Sequence, residues 1–176
     1  MDSKRAGDLV YIAGLTRNEC GGSEYYAHLG YLGLNVPQVR SAEFMQLYRA
    51  LSRAIAAESA ASVHGVYRGG LGVHLAMVAM GGGLGMRVDA RQVPVEGVYR
   101  DDTLLFSESA GRFILTVDPR RRREFESAFK GLPCARIGAV TAEPVMRVDG
   151  LKGETVVSAT VSDMKASWKR PFGHLV

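Results

Sequence analysis

Two short glycine-containing segments carry residues that could bind an anion. In one of them, Gly69 and Gly70 follow a short extended segment and precede an apolar run with helical spacing. A strand, a glycine pair and a helix N-terminus together present free backbone N–H groups and the positive end of a helix dipole, which suits a phosphate. Gly21, Gly22 and Ser23 form a second junction of this kind. Such glycine pairs are also common as plain tight connections, so the pattern alone allows a purely structural interpretation.

Polar side chains near these junctions are the candidates for contacting a ligand. His64 and Arg68 precede the glycine pair, and Ser107, Glu108 and Arg112 lie together later in the chain. Arg68 would assist an anion bound by backbone amides, whereas Arg112 would hold a phosphate or pair locally with Glu108. Glu108 would approach a nucleotide or a metal, or cap the turn before the next strand. His64 is more often a hydrogen-bonded structural residue than a catalyst, and no catalytic residue is assigned.

The elements that must position these residues alternate between strands and helices. Strands are predicted at 8–14, 62–67, 84–90, 111–117, 134–140, 145–148 and 155–161. Helices are predicted at 24–29 behind a Ser23 cap, at 41–58, from Gly70 to the glycines at 81–83, at 119–130 and around 164–168. The 111–117 strand is expected to be half-buried, with Arg112 at its start. Because the last strands follow one another like hairpins, the pattern favours an α+β fold, a mixed sheet covered by helices.

The composition is that of an ordinary globular protein. The chain has 176 residues, of which 47% are apolar and 23% charged, and it is long enough for one sizeable core. Residues 7–176 are therefore predicted to form a single domain after a ragged segment at 1–6. The longest apolar stretch, 71–86, is too short and too interrupted by glycines to span a membrane. Nothing marks export, so a cytoplasmic protein is expected.

The charges and the cysteines argue against several other functions. The net charge is +4, but the only dense basic run, 120–123, is not interleaved with aromatic residues, so nucleic-acid binding is not predicted. Cys20 and Cys134 form no metal-ligand pattern and indicate free thiols, with a single long-range disulfide as the less favoured alternative. We expect Cys134 to be buried and Cys20 to be the more exposed of the two. No metal site and no thiol nucleophile are predicted.

Three segments carry a family resemblance. They are Gly-Asp-Leu-Val-Tyr-Ile-Ala-Gly at 7–14 with Gly-Gly-Ser-Glu-Tyr at 21–25, the stretch 62–86, and Leu-Phe-Ser-Glu-Ser-Ala-Gly-Arg-Phe at 105–113. In this order they resemble the C-terminal domain of the superfamily that includes aminoimidazole ribonucleotide synthase and phosphoribosylformylglycinamidine synthase, the second being more similar. The resemblance covers essentially the whole chain. Because the full synthase is several times longer, the chain is expected to be a fragment or a separately expressed last domain.

The resemblance implies part of an ATP-dependent C–N ligase of purine biosynthesis. Such an enzyme converts formylglycinamide ribonucleotide to its amidine with ammonia derived from glutamine, by phosphorylation of the amide oxygen and attack of ammonia. ATP and Mg²⁺ are the implied cofactors of the full enzyme, and the implied partners are the remaining synthase domains and a glutaminase subunit or domain. The residues expected to bind nucleotide or phosphate are Gly22, Ser23, His64, Arg68, Gly69, Gly70, Ser107, Glu108 and Arg112.

The segment 64–71 departs from the family pattern His-Asp-Val-Ser-Asp-Gly-Gly-Leu. Gly65 and Arg68 stand at its two acidic positions, so a backbone anion site assisted by Arg68 is expected there in place of a metal. The alternatives are a non-catalytic scaffold or structural nucleotide-binding domain, and a related enzyme of the superfamily such as thiamine-monophosphate kinase. The isolated chain is expected to be inactive, and to self-associate through apolar surface that neighbouring domains would cover.

Overall fold

The computed structural model describes residues 1–173, so the last three residues of the expected 7–176 domain lie outside it. In this part of the chain the strands are β1 (Leu9–Ala13), β2 (Thr16–Arg17), β3 (Ser62–Val66), β4 (Gly85–Asp89), β5 (Val95–Glu96), β6 (Arg112–Val117), β7 (Cys134–Thr141), β8 (Val145–Asp149) and β9 (Thr155–Thr160). The α-helices are α1 (Glu24–His28), α2 (Ser41–Ala56), α3 (Gly70–Gly82), α4 (Asp101–Phe106), α5 (Arg122–Ala128) and α6 (Val161–Lys169).

Seven of the strands form one mixed sheet in the order β3-β6-β1-β7-β4-β8-β9. The neighbouring strands are antiparallel except for β4 and β8, which run parallel. The two-residue strands β2 and β5 pair separately. The predicted α+β fold with a mixed sheet covered by helices is therefore confirmed.

Helices cover both faces of this sheet. The residues of β1 contribute side chains to the hydrophobic core on each face. Val10 and Ile12 of β1 join the core beneath α3, α4 and α6, whereas Tyr11 and Ala13 join the core beneath α2 and α5. Side chains of a strand alternate between the two faces, so a continuous apolar run fits a central strand with helices on either side. The buried strand predicted at 8–14 lies there.

The two long helices differ in the way they are buried. α2 buries one stripe, Leu47, Ala50, Leu51 and Ala54, at the spacing of an amphipathic surface helix. α3 is apolar around most of its circumference because α4 and α6 pack against it in addition to the sheet. No helix within residues 1–173 combines the length and the apolar character that crossing a bilayer requires.

The half-buried pattern expected for 111–117 is wrong. In β6 every residue except Phe113 is buried, including Arg112 and Thr116. β6 lies between β3 and β1 with helices on both faces, so its polar residues must find partners inside the protein. Thr116 does so through its Oγ1, which lies 2.7 Å from the Ser62 Oγ on β3.

The last strands do not form one continuous set of hairpins. β8 and β9 pair as predicted, but β4 lies between β7 and β8. The short connection from β7 to β8 must therefore cross the end of β4. Gly85 at the start of β4 allows this crossing, because a Cβ there would collide with the carbonyl oxygens of Glu143 and Val145.

The first six residues contain no helix or strand, but they are not all exposed. Ser3 is buried, and its N–H (3.2 Å) and Oγ (3.3 Å) both donate to the carbonyl oxygen of Val78 in α3. This contact holds the start of the chain against the helix that follows the second glycine junction.

Candidate functional site

One carboxylate joins the two glycine junctions. Glu108 Oε1 accepts hydrogen bonds from the backbone N–H of Gly69 at 2.8 Å and of Glu24 at 2.9 Å. Gly69 is the N-cap of α3 and Glu24 is the first residue of α1, so one oxygen atom lies at the start of both helices. A carboxylate is stabilised there because these N–H groups have no acceptor inside their helices. The anion position expected from the sequence is thus filled by a side chain of the protein itself.

The first junction is built around the Ser23 cap. The Ser23 Oγ accepts from the Tyr26 N–H at 3.2 Å and donates to the Cys20 carbonyl at 2.7 Å, and the serine is buried. Gly22 has a φ of +69° and donates its N–H to the Leu32 carbonyl at 2.7 Å. Both residues that were expected to bind phosphate here have structural partners.

At the second junction, glycine allows two chain segments to come very close. Gly69 and Gly70 have φ angles of +90° and +72°, in the left-handed region that favours glycine. A Cβ at Gly70 would lie 2.7 Å from the carbonyl oxygen of Leu105 and 2.7 Å from Phe106 backbone atoms. The pair therefore lets the start of α3 pack directly against the last turn of α4.

Arg68 links the junctions from the outside. Its guanidinium forms an ion pair with the Glu24 carboxylate, and its side chain is 78% exposed. Exposed pairs of this type contribute about 1 kcal/mol or less, so an anionic ligand could compete for Arg68 at small cost. Among the charged residues expected at the site, Arg68 is the cation that remains accessible.

Arg112 and Ser107 lie beneath the turn that carries Glu108. The Arg112 guanidinium donates to the carbonyl oxygens of Ser107 (2.5 Å) and Ser109 (2.9 Å) and to Thr16 Oγ1 (3.0 Å). Ser107 is fully buried, with its Oγ 3.1 Å from that of Ser109. Burial lowers the pKa of Arg112 to about 10, which still leaves it charged at neutral pH. Arg112 is 1% exposed, so it fixes the backbone on both sides of Glu108 and does not face a ligand.

His64 belongs to a buried histidine pair. The Tyr67 N–H donates to His74 Nε2 at 2.9 Å, and the Arg68 carbonyl oxygen lies 3.2 Å from the same nitrogen. An amide N–H can only donate, so His74 Nε2 is the acceptor and the proton of the neutral His74 ring is on Nδ1. His74 Nδ1 then donates to His64 Nε2 at 2.8 Å. His64 Nδ1 has no hydrogen-bond partner in the described part of the chain. Burial is the main cause that lowers the pKa of both histidines.

A cleft of about 890 Å³ opens beside the two junctions. It lies at the ends of β1, β3 and β6 and is closed on its outer side by the start of α2 and the segment before it. Its walls include the apolar residues Leu15, Val39, Phe44, Leu47 and Leu132. Of the nine residues expected at the site, only Arg68, Glu108 and Arg112 border this cleft, and the Arg112 side chain is buried within its wall. Its size and apolar walls are typical of a small-molecule site.

The other charged residues of the cleft are already paired. Arg17 donates to Glu43 at 2.8 Å and to Glu96 at 2.7 Å. Arg40 donates to Glu19 Oε1 at 2.9 Å. A ligand that carries a phosphate would therefore have to compete with carboxylates for these guanidinium groups.

The residues present do not fit a magnesium ion. Within residues 1–173, no group of three or more His, Cys, Asp or Glu side chains is placed to hold a metal. Gly65 is covered by the Tyr67 phenol, which a Cβ at this position would strike, and Arg68 brings a positive charge. Residues 1–173 therefore offer no set of ligands that suits a magnesium ion.

The cysteine exposures are the reverse of the expectation. Cys20 is buried at 1% exposure, and Cys134 is only partly buried. Desolvation raises the pKa of Cys20 to about 11 and that of Cys134 to about 12. Both thiols therefore stay protonated at neutral pH, when a thiol is a poor nucleophile.

Sequence reasoning missed most of the cleft. Arg17, Arg40 and Phe44 line it, but they belong to segments far along the chain from Gly69 and Glu108. No local motif marks them, because the sheet topology and the position of α2 bring them together. Pro37, in the loop before α2, also lines the cleft, and nothing in the local sequence marks it for that position.

The sequence matches a known domain family. The profile for "AIR synthase related protein, C-terminal domain" matches residues 5–150. The Thermococcus sibiricus relative named phosphoribosylformylglycinamidine synthase subunit PurL is 32% identical over 166 residues, covering 94% of this chain and 23% of the relative. The Moorella thermoacetica relative of the same name is 35% identical over 173 residues, covering 94% of this chain and 22% of the relative. The chain thus spans less than a quarter of the length of these relatives.

The fold is shared with solved structures of PurL. The structure described as T. maritima PurL complexed with FGAR has a TM-score of 0.78 at 21% identity, over 93% of this chain and 28% of that chain. The same protein complexed with ATP gives a TM-score of 0.71 at 19% identity, over 93% of this chain and 26% of that chain. At these identities the similarity is one of fold.

Proposed function

Because the chain belongs to the AIR synthase related family, whose C-terminal domain it matches over residues 5–150, we propose that it is the last domain of a phosphoribosylformylglycinamidine synthase. The whole protein would convert formylglycinamide ribonucleotide to its amidine with ATP and ammonia. The observation that carries the proposal is the 32–35% identity to relatives named PurL over 94% of the chain. Residues 7–176 would form one domain of that protein, inactive without the rest.

Within such a synthase, we assign this domain the role of forming one wall of a ligand cleft. The apolar walls suit a base or a ribose, and Arg68 at the edge of the cleft suits a phosphate. The relative from T. maritima has been solved with FGAR and with ATP, which supports a ribonucleotide as the class of ligand. Glu108, by accepting hydrogen bonds from both junctions, would hold the backbone of this wall in place.

The cofactors and partners follow from the same proposal. ATP would be used by the whole enzyme, and any Mg²⁺ would be held by residues outside this chain. The remaining synthase domains and a glutaminase subunit or domain would be its partners, and the assembly would be cytoplasmic. Separated from them, the chain would self-associate.

An exchange of domains tests the proposal. The matching segment of the M. thermoacetica relative is replaced by this chain, and amidine formation from formylglycinamide ribonucleotide, ATP and ammonia is measured. We expect activity in the chimaera, and none in the isolated chain or in the relative with the segment deleted. Turnover by the isolated chain, or a folded chimaera without activity, would contradict the proposal.

A second candidate, a non-catalytic scaffold, is favoured by one observation. The Gly69 and Glu24 amides that could bind a phosphate are already bonded to Glu108. Calorimetry on the active chimaera separates the two. ATP or ADP binding that weakens when Arg68 is replaced by Ala supports the cleft role, whereas binding unaffected by that change leaves the scaffold role.

A further inference from the structure

Half of the exposed large hydrophobic side chains lie in one short part of the chain. Residues 1–173 contain sixteen of them, and eight fall between 29 and 48, namely Leu29, Tyr31, Leu32, Leu34, Val36, Val39, Met45 and Tyr48. We call this set the 29–48 surface. Leu34 is 95% exposed and Val39 is 80% exposed. Single exposed hydrophobic residues are ordinary, but this density over twenty residues is typical of a binding surface.

The loop that carries most of this surface is held in one conformation. The Gly22 N–H donates to the Leu32 carbonyl at 2.7 Å, and the Gly21 N–H donates to the Asn35 carbonyl at 2.8 Å. A Cβ at Gly21 would lie 2.7 Å from the Asn35 carbonyl carbon, so the first glycine junction supports this loop closely. Leu32 and Leu34 are therefore presented from a fixed backbone. Little conformational entropy remains to be lost when a partner covers them.

The charges around the surface restrict its partner. Only two charged residues, Arg40 and Glu43, fall within positions 29–48. Both are already paired, Arg40 with Glu19 and Glu43 with Arg17. A complementary face would therefore be mainly apolar and would need few charges of its own.

The surface is continuous with the cleft. Val39 belongs to both, and Pro37, Arg40 and Phe44 close the outer side of the cleft beside it. A partner that covers the 29–48 surface would therefore also border the mouth of the cleft.

We propose that the 29–48 surface is the face on which the rest of the synthase docks. This inference rests on the proposed function and commits to one occupant, an apolar face supplied by the part of the synthase outside this chain. The matched segment is only 22–23% of each relative, so more than three quarters of such a protein is available to cover it. A second copy of this chain is the competing occupant.

Amide hydrogen exchange measures directly whether a partner covers the 29–48 surface. Peptides from 29–48 are compared in the isolated chain, diluted until sedimentation shows a monomer, and in the M. thermoacetica chimaera, with the T. sibiricus relative as the second host if the first does not fold. We expect exchange to be about tenfold slower, or more, in the chimaera. Equal exchange in the two overturns the inference.

Matched variants add a second readout. The double variant Leu34→Ser, Val39→Ser should leave the melting temperature of the isolated chain unchanged, because both side chains already face water. It should lower the melting temperature of the chimaera, whereas the control Tyr99→Ser, at a side chain that is 88% exposed and lies outside the 29–48 surface, should not. A double variant without effect on the chimaera counts against the inference.

Other outcomes of these experiments distinguish a failure of the docking face from a failure of the proposed function. Sedimentation of the isolated chain tests the second copy. A dimer that the double variant dissociates, together with an unprotected surface in the chimaera, would assign the surface to self-association and overturn the inference. An active chimaera with an unprotected surface refutes only the docking face. A protected surface in a folded but inactive chimaera supports the docking face and refutes the proposed activity.

Discussion

The two glycine junctions share a sequence pattern but are stabilised in different ways. At the first, the Ser23 side chain caps α1, a five-residue helix without a buried residue. At the second, α3 has no side-chain cap, and it is held by the burial of six of its residues between the sheet and its neighbouring helices. What they have in common is Glu108, whose carboxylate accepts an N–H from each.

The difference shows that a glycine pair before a helix does not by itself define a phosphate site. At the first junction Gly21 lets the 30–36 loop pack closely, and at the second Gly70 lets α3 approach α4. In both, a backbone N–H that a ligand would use is bonded to a carboxylate of the same protein. This is why the proposed ligand site is the cleft beside the junctions, with Arg68 as its accessible cation.

The largest expected difference between the junctions comes from adding a methyl group. Gly70→Ala should destabilise the protein by about 3 kcal/mol or more, because the left-handed backbone and the clash with α4 both cost free energy. Gly22→Ala has a similar φ of +69° but nothing within 4 Å of the added Cβ, so it should cost only about 1 to 2 kcal/mol. Urea unfolding of both variants measures the two costs. Equal losses would show that the close approach of α3 to α4 is not what requires glycine.

Removing the shared carboxylate should weaken both junctions together. Glu108→Ala leaves the Gly69 and Glu24 N–H groups without their acceptor, and we expect a loss of about 2 kcal/mol. Glu108→Gln keeps an oxygen acceptor without the charge and should lose about half as much. The measurement is again urea unfolding, with amide exchange at Gly69 and Glu24 as the local readout. If Glu108→Ala raised exchange at only one amide, the carboxylate would not join the two junctions.

Acid should destabilise the second junction through its histidine pair. Burial lowers the pKa of His64 and of His74, so below about pH 6.5 the unfolded chain binds protons that the folded chain does not. The free energy of unfolding should therefore fall as the pH drops through 6.5, until the folded-state pKa values are reached. Urea midpoints between pH 7.5 and 5.5 should depend less on pH in His64→Gln. The matched change His28→Gln, at an exposed residue of α1, should keep the wild-type dependence.

Local periodicity was enough to predict most helices and strands. The α2 stripe predicted a helix at 41–58, and the helix occupies Ser41–Ala56. The strand order was not accessible in this way, since the insertion of β4 between β7 and β8 depends on contacts between distant segments. Gly85 was the one local sign of that crossing, and a glycine near the start of a strand is equally compatible with a bulge or a tight bend.

The sequence singled out Arg68, Glu108 and Arg112, which border the cleft, but it did not predict the partners of these residues. Gly69 was expected to bind an anion, and Glu108 to approach a nucleotide or a metal or to cap a turn. The two residues meet, and the anion at Gly69 is the Glu108 carboxylate itself. Arg112 was expected to face a ligand, yet the helices on both faces of β6 bury it. Burial and hydrogen-bond choice depend on which segments pack over a residue, and the local sequence does not contain that information.

The smallest expected effect concerns the first junction alone. Ser23→Ala removes the side-chain acceptor for the Tyr26 N–H and the donor to the Cys20 carbonyl, and a lost N-cap costs about 1 kcal/mol. The matched control is Ser41→Ala at the start of α2, where no side-chain cap bond is made, so its stability should change by a few tenths of a kcal/mol at most. Because the 30–36 loop is bonded to Gly21 and Gly22, the loss of the cap should also speed amide exchange at Asn35 and its neighbours while leaving α3 unchanged. Faster exchange throughout α3 in Ser23→Ala would mean that the two junctions unfold as one unit through Glu108, despite their separate means of stabilisation.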